Sequence, residues 1–140
     1  MSLFFENIVN HGDHLIDLIR DQAEWSRATF GADDVRGPLG PTKHLAKEVL
    51  IELLGCSKAD TELLLSTVNN DRPPESLRDI KEWADALILL LDGSRRAGHK
   101  FLAVIKAAEA KMAENKKRDW PKPDPTNVND AMEHVRGDDQ

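Results

Sequence analysis

Cysteine occurs once in the 140 residues, at Cys56, which excludes an internal disulfide and a Cys-rich zinc site. A reducing cytoplasm suits such a chain. Long apolar runs are missing as well: the longest, "ALILLL" at 86–91, is far too short to span a bilayer, so a soluble protein is expected. The opening "MSLFFENIVN" lacks the basic stretch, apolar core and small-residue cleavage site of a secretory leader. Positive charge is in deficit, with 19 Lys and Arg against 25 Asp and Glu, a net charge of −6 and a sequence pI near 5.3. That balance argues against a groove tracking nucleic-acid backbone, while a small phosphorylated ligand stays compatible if metal ions carry the positive charge. No convincing alternating strand, Walker-type loop, nucleophile elbow or dinucleotide fingerprint occurs.

What remains is a helical pattern punctuated by Gly31, the "GPLGP" loop at 37–41, Gly55, "RPP" at 72–74, Gly98 and three prolines between 121 and 125. The periodicity predicts an all-α protein. A first helix runs over roughly 3–28 with Leu15, Leu18, Ile19 and Trp25 inward and an irregularity at Gly12; a second starts near Pro41 and stops before Gly55. "SKADTELLLSTV" at 57–68 reads as a short extra helix capped by Ser57. A third main helix covers about 74–97 and a fourth about 99–118, which together imply a four-helix bundle. The organisation is one domain over 1–120 and a polar, Pro-containing, mobile tail over 121–140, where "TNVNDAMEHV" has the makings of one or two weak helical turns.

Acids stand out within this pattern. His44, Glu48 and Glu52 recur at steps of four on the second helix and share one stripe, while Glu82 and Asp85 lie a step of three apart on the third, with Asp92 seven residues further on. Two helices that each offer two carboxylates can hold a hard cation such as Mg²⁺, whose remaining ligands are water and substrate phosphates. For Glu48 and Glu52, with Lys43 and Lys47 close by, a solvated face is the commoner outcome of such spacing. Asp85 differs, because it sits between Ala84 and Ala86 with "LILLL" beyond, where a solvent face is hard to draw and an ionised carboxylate asks for a partner. His44 can order a ligand from one turn before Glu48, or can cap or pack. His11 and His14 flank a glycine and read as surface residues. A di-iron carboxylate bundle is a weaker reading, since it needs Glu-x-x-His on two helices and no glutamate here has His three residues later.

On the fourth helix "KMAENKKR" places Lys111, Asn115 and Arg118 at 0, +4 and +7 on one face. Such a face can hold phosphate oxygens through a forked Arg and a point-charged Lys; it can equally be a solvated basic helix end. Trp25 and Phe30, in "EWSRATFG", bracket the end of the first helix, where aromatics either stack on a ligand ring or enter the core.

These motifs resemble the MazG-like all-α nucleoside triphosphate pyrophosphohydrolases, whose hallmark is an acidic pair, a spacer, Glu-x-x-Asp and then Lys-x-x-x-Asn-x-x-Arg. Through "EWSRATFG", "GPTKHLAKE", "EWADALILLLDGSRRAG" and "NKKRDW", over roughly residues 20–120, the chain is most similar to the phage and bacterial dATP/dGTP pyrophosphohydrolase branch, which includes MazZ-type enzymes. The resemblance implies hydrolysis of a purine deoxynucleoside triphosphate to monophosphate and pyrophosphate, with Mg²⁺, or Mn²⁺ in its place, held by Glu48, Glu52, Glu82 and Asp85. It places Trp25, Phe30, His44, Lys47, Lys111, Asn115 and Arg118 on the substrate side, and implies a homodimer or homotetramer with no nucleic-acid or membrane partner. Two departures stand out: the first acidic pair is Glu48-x-x-x-Glu52 where the family has Glu-x-x-Glu, with Lys47 where many relatives carry another glutamate, and the spacer before Glu82 is long. Other substrates, such as dCTP, dUTP or a damaged nucleotide, and a helical interaction module that has lost the chemistry are the alternatives.

Overall fold

The computed structural model describes the backbone of residues 2–137 and side chains from residue 12 onward. Its regular elements are all helical: α1 (Ser2–Phe30), α2 (Leu39–Lys47) continued by a π-helical segment (Glu48–Leu53), α3 (Lys58–Leu65), a 3₁₀ turn (Glu75–Arg78), α4 (Ile80–Arg96) and α5 (Phe101–Lys117). The expected third and fourth main helices are thus α4 and α5. α1 runs unbroken through Gly12, because a single glycine in a long helix costs only about 1 kcal/mol and does not by itself bend it. It ends where Gly31 turns left-handed at φ 107° and donates its N–H to the Arg27 carbonyl, a conformation that a side chain would oppose. α3 begins as its cap implies, with the Ser57 hydroxyl accepting from the Asp60 N–H at 3.0 Å.

α1 and α5 run parallel. His14 meets Glu109 at 2.6 Å and Asp21 meets Lys116 at 2.5 Å, so both helices advance seven residues between the two contacts. His14 is therefore half-buried at a helix contact and not surface decoration; the His11 side chain lies outside the described residues. α5 turns back from α4 through a loop in which Gly98 adopts φ 93°. α2, the π segment and α3 form a second unit, folded back at Gly55.

The segment after Arg118 corrects the expectation of a mobile tail. Residues 119–137 fold onto the rest of the chain, with Met132 only 5% exposed, and form turns without a helix. Arg36 is the clasp: its guanidinium donates to the carbonyls of Asn127 (3.2 Å), Val128 (3.3 Å) and Asp130 (2.8 Å). Burial pulls the Arg36 pKa down and Asp130 opposes that shift; an arginine stays charged under such a pull. Asn129 adds a bond to the Asn70 carbonyl at 2.9 Å, and the Val135 N–H donates to Asp119 at 2.7 Å. Polar composition hid these contacts, because they run through backbone carbonyls that every residue carries. Residues 138–140 lie outside the described residues.

The core is small. Among the described residues only Leu39, Ile105, Met112 and Met132 are buried apolar side chains, and α4 buries none.

Candidate functional site

Glu48 and Glu52 sit at the two ends of one π-helical turn, with His44 Nε2 3.4 Å from the Glu48 carboxylate. π turns are rare and recur at functional sites. The segment carries the Leu54 N–H to the Val49 carbonyl at 3.0 Å, a five-residue step. At roughly 4.4 residues per turn, a step of four falls about 33° short of a full turn, whereas in an α-helix it overshoots by about 40°. Both acids thus stay on one stripe, beside a cleft of about 60 Å³ lined by His44, Lys47, Glu48, Glu52, Glu133 and His134.

Lys47, 13% exposed at its side chain, donates to Glu133 at 2.9 Å and lies 3.6 Å from Glu62. The hydrogen bond from Lys47 holds the Glu133 carboxyl below the usual glutamate range, with the charges of Lys47, Lys58 and His44 adding to it and partial burial opposing it. Glu133, His134 and Arg136, which also lines the cleft, are site neighbours that the sequence reading missed, because nothing local marks a turn-rich tail as a wall of a cleft some 85 residues earlier.

The rings of Trp25 and Phe30 meet edge to face at 5.3 Å, and Trp120 closes the group at 5.4 Å from each. His134 packs on Trp120 at 5.9 Å, and the Arg36 guanidinium lies 5.5 Å from the centre of the Phe30 ring. Trp120 is anchored by its indole N–H to the Asn115 carbonyl at 2.7 Å. The cluster gives Trp25 and Phe30 a packing role that joins α1 to the tail.

At the end of α5, Arg118 donates to the Asn115 side chain at 3.1 Å, and Glu114 lies 3.6 Å from Lys111 and 3.8 Å from Arg118. The three expected residues are therefore gathered on one face, with an acid among them.

Glu82 and Asp85 stand apart from all of this. They are exposed on α4, which packs against α5 and the preceding 3₁₀ turn. Neither has an ion-pair partner among the described residues, while Asp92 is taken by Arg95 (2.7 Å) and Arg96 (2.9 Å) of its own helix. Among the described residues no three of His, Cys, Asp and Glu come together closely enough to hold a metal ion. Within a single chain the carboxylates Glu48, Glu52, Glu82 and Asp85 thus do not fit the Mg²⁺ site expected of them. The larger cleft, about 840 Å³, lies where α4 meets α5, is lined by Ile88, Leu91 and Phe101 among others, and holds none of these four acids.

Compared with known proteins, residues 73–139 match the model of the family described as dATP/dGTP pyrophosphohydrolase. The match covers a little under half of the chain and takes in α4, α5 and the folded tail. No curated protein and no solved structure matches the chain. No helix among the described residues is long and apolar enough to cross a membrane.

Proposed function

We propose that the chain is a MazG-like pyrophosphohydrolase of purine deoxynucleoside triphosphates, splitting dATP or dGTP into the monophosphate and pyrophosphate. The family match over 73–139 carries this reading, since it spans Glu82, Asp85, Lys111, Asn115 and Arg118 together. The triphosphate is proposed to arrive with Mg²⁺, or Mn²⁺, as counter-ion, in a cytoplasmic setting that would be the host cytoplasm for a phage-borne enzyme.

The chain's own groups have roles in keeping with this. Lys111 and Arg118 receive phosphate oxygens, Arg118 as a fork aligned by Asn115, and Glu114 gives up its hold on both when the anion enters. Lys47 and His44 border the acidic cleft and face the same anion. Trp25 and Phe30 form, with Trp120, the aromatic wall nearest the end of α5, and one freed ring face would accept a purine.

The test is product analysis over the eight common nucleoside triphosphates with Mg²⁺. Pyrophosphate and monophosphate from dATP and dGTP ahead of the others is the expected result. A lead by dCTP, dUTP or a damaged nucleotide would move the substrate class, and no pyrophosphate from any nucleotide would leave a non-catalytic helical module.

A further inference from the structure

The folded tail returns to the body of the protein through "EHVR" at 133–136. Three of these residues are tied down: Glu133 accepts from Lys47 at 2.9 Å, the His134 ring packs on Trp120 at 5.9 Å, and the Val135 N–H donates to the Asp119 carbonyl at 2.7 Å. The contacts fix the segment between two parts of the chain. On one side is the end of α5, because the Trp120 indole N–H is held by the Asn115 carbonyl and the Asn115 side chain accepts from Arg118. On the other is the cleft beside Glu48 and Glu52, which Glu133, His134 and Arg136 help to line.

Arg136 differs from its neighbours. It is exposed, and among the described residues it has no ion-pair partner, although three glutamates line the same cleft. The other basic side chains there are engaged, Lys47 by Glu133, His44 by Glu48 at 3.4 Å and His134 by Trp120. An arginine is always charged and presents its donors in a planar fork that fits two oxygens of one phosphate. In this chain no carboxylate takes that fork.

We propose that Arg136 is a substrate-binding residue, which takes phosphate oxygens of the nucleoside triphosphate from the tail side of the cleft as a second forked donor besides Arg118. This rests on the pyrophosphohydrolase reading. Three observations converge on it. The cleft, about 60 Å³, has space for one small group and not for a whole nucleotide, since pockets for small organic ligands measure roughly 300–1,000 Å³; the end of a phosphate chain is such a group. An anion entering beside Glu48 and Glu52 is repelled by both, and Arg136 is the positive charge there that no acid has claimed. His134 belongs to the cleft lining and to the aromatic group of Trp25, Phe30 and Trp120, so the cleft is contiguous with the rings proposed to receive the purine. A nucleotide with its base on those rings brings its phosphates to the side where Arg136 stands.

The experiment compares full-length wild type with Arg136→Gln and Arg136→Lys, and with Arg20→Gln as a control for loss of one exposed positive charge, since Arg20 pairs only with Asp17 of its own helix. Calorimetry measures binding of a non-hydrolysable dGTP analogue and of inorganic tripolyphosphate, which carries the anion without the base. Arg136→Gln should weaken both by roughly ten- to a hundredfold, Arg136→Lys should fall between it and wild type, and Arg20→Gln should bind as wild type does. Tm and tryptophan emission should stay at wild-type values, because Arg136 holds nothing in the fold. Wild-type affinity of Arg136→Gln for both probes would overturn the proposal, as would a wild type that binds neither. A loss of affinity that comes with a lower Tm and a shifted tryptophan emission would overturn it too, by making Arg136 part of the tail's attachment. If wild type releases no pyrophosphate from any nucleotide while tripolyphosphate binding still depends on Arg136, the activity reading fails and the anion site stands. If wild type and Arg136→Gln release pyrophosphate from dGTP with the same KM, the activity reading stands and this assignment fails.

Discussion

Gly40 is buried in the first turn of α2, where the folded tail crosses it. A Cβ added there would stand 2.4 Å from the Asp130 carbonyl oxygen and 2.6 Å from Arg36 Nη2. Arg36 can swing away, but the carbonyl is backbone, so Gly40→Ala must push the tail off α2. Two opposing terms decide the sign. Alanine gains about 1 kcal/mol of helix propensity over glycine. Against it stand about 1–3 kcal/mol of overpacking and the weakening of up to three guanidinium hydrogen bonds from Arg36, each worth about 1.5–3 kcal/mol. The expected net loss is about 2–4 kcal/mol, which for a chain of this size lowers Tm by roughly 6–12 °C. Thermal unfolding by circular dichroism reads the loss. Tryptophan emission reads its place, since a displaced tail takes Trp120 from its half-buried position into water. Gly37→Ala is the control, because a Cβ at Gly37 meets nothing within 4 Å. A Gly40→Ala protein as stable as wild type, or a degree or two more stable, would show that the tail does not bear on α2 and that Arg36 is no clasp.

Asp85→Asn and Glu82→Gln are each expected to abolish pyrophosphate release with the far-UV spectrum unchanged, since both keep volume and remove charge; turnover above background in either would remove that residue from the site. Arg118→Lys should weaken binding of a non-hydrolysable dGTP analogue by roughly ten- to a hundredfold, because an ammonium cannot reproduce the fork that Asn115 aligns; unchanged affinity by calorimetry would return the end of α5 to a solvated basic face. Glu133→Gln should lose stability at neutral pH, where the depressed carboxyl is ionised on Lys47, and the gap to wild type should close as pH falls below the unfolded glutamate value of about 4.3 and through the lower folded value; a gap that persists in acid would assign the loss to packing. Deleting Leu50 should turn the π segment into α-helix with pyrophosphate release retained, and an unfolded deletion variant would tie the π turn to packing alone.

Helix positions were legible because they depend on local signals. The Ser57 cap, the glycine at the end of α1 and the turn between α4 and α5 act within a few residues of where they are written. The start of α4 was read six residues early, because "PPESLRD" makes a 3₁₀ turn and the helix waits for Asp79, whose side chain accepts from the Lys81 N–H at 3.0 Å. The folded tail was not legible. Its attachment depends on Arg36, Asn70 and Lys47 meeting groups 59 to 94 residues away, and no local pattern encodes a pairing at that range. Trp120 was visible in "NKKRDW" as a motif residue, yet its three ring neighbours come from two ends of the chain.

The acids show the same division at finer scale. Spacing correctly put Glu48 with Glu52 and Glu82 with Asp85, since each pair is a property of one helix. Whether the two pairs meet depends on how separate helices pack, and among the described residues Asp85 is exposed in spite of the run "LILLL" that suggested an interior position for it. The departure at the first pair can be read the same way. A family step of three in an α-helix falls about 60° short of a turn, and a step of four overshoots by about 40°, a swing of roughly 100° that would aim the second carboxylate elsewhere. In the π segment the step of four falls about 33° short, which removes most of that swing. An extra residue between Glu48 and Glu52 and a widened turn over those same residues are then one adjustment, and it keeps both carboxylates on one stripe beside the cleft that His44 and Lys47 border.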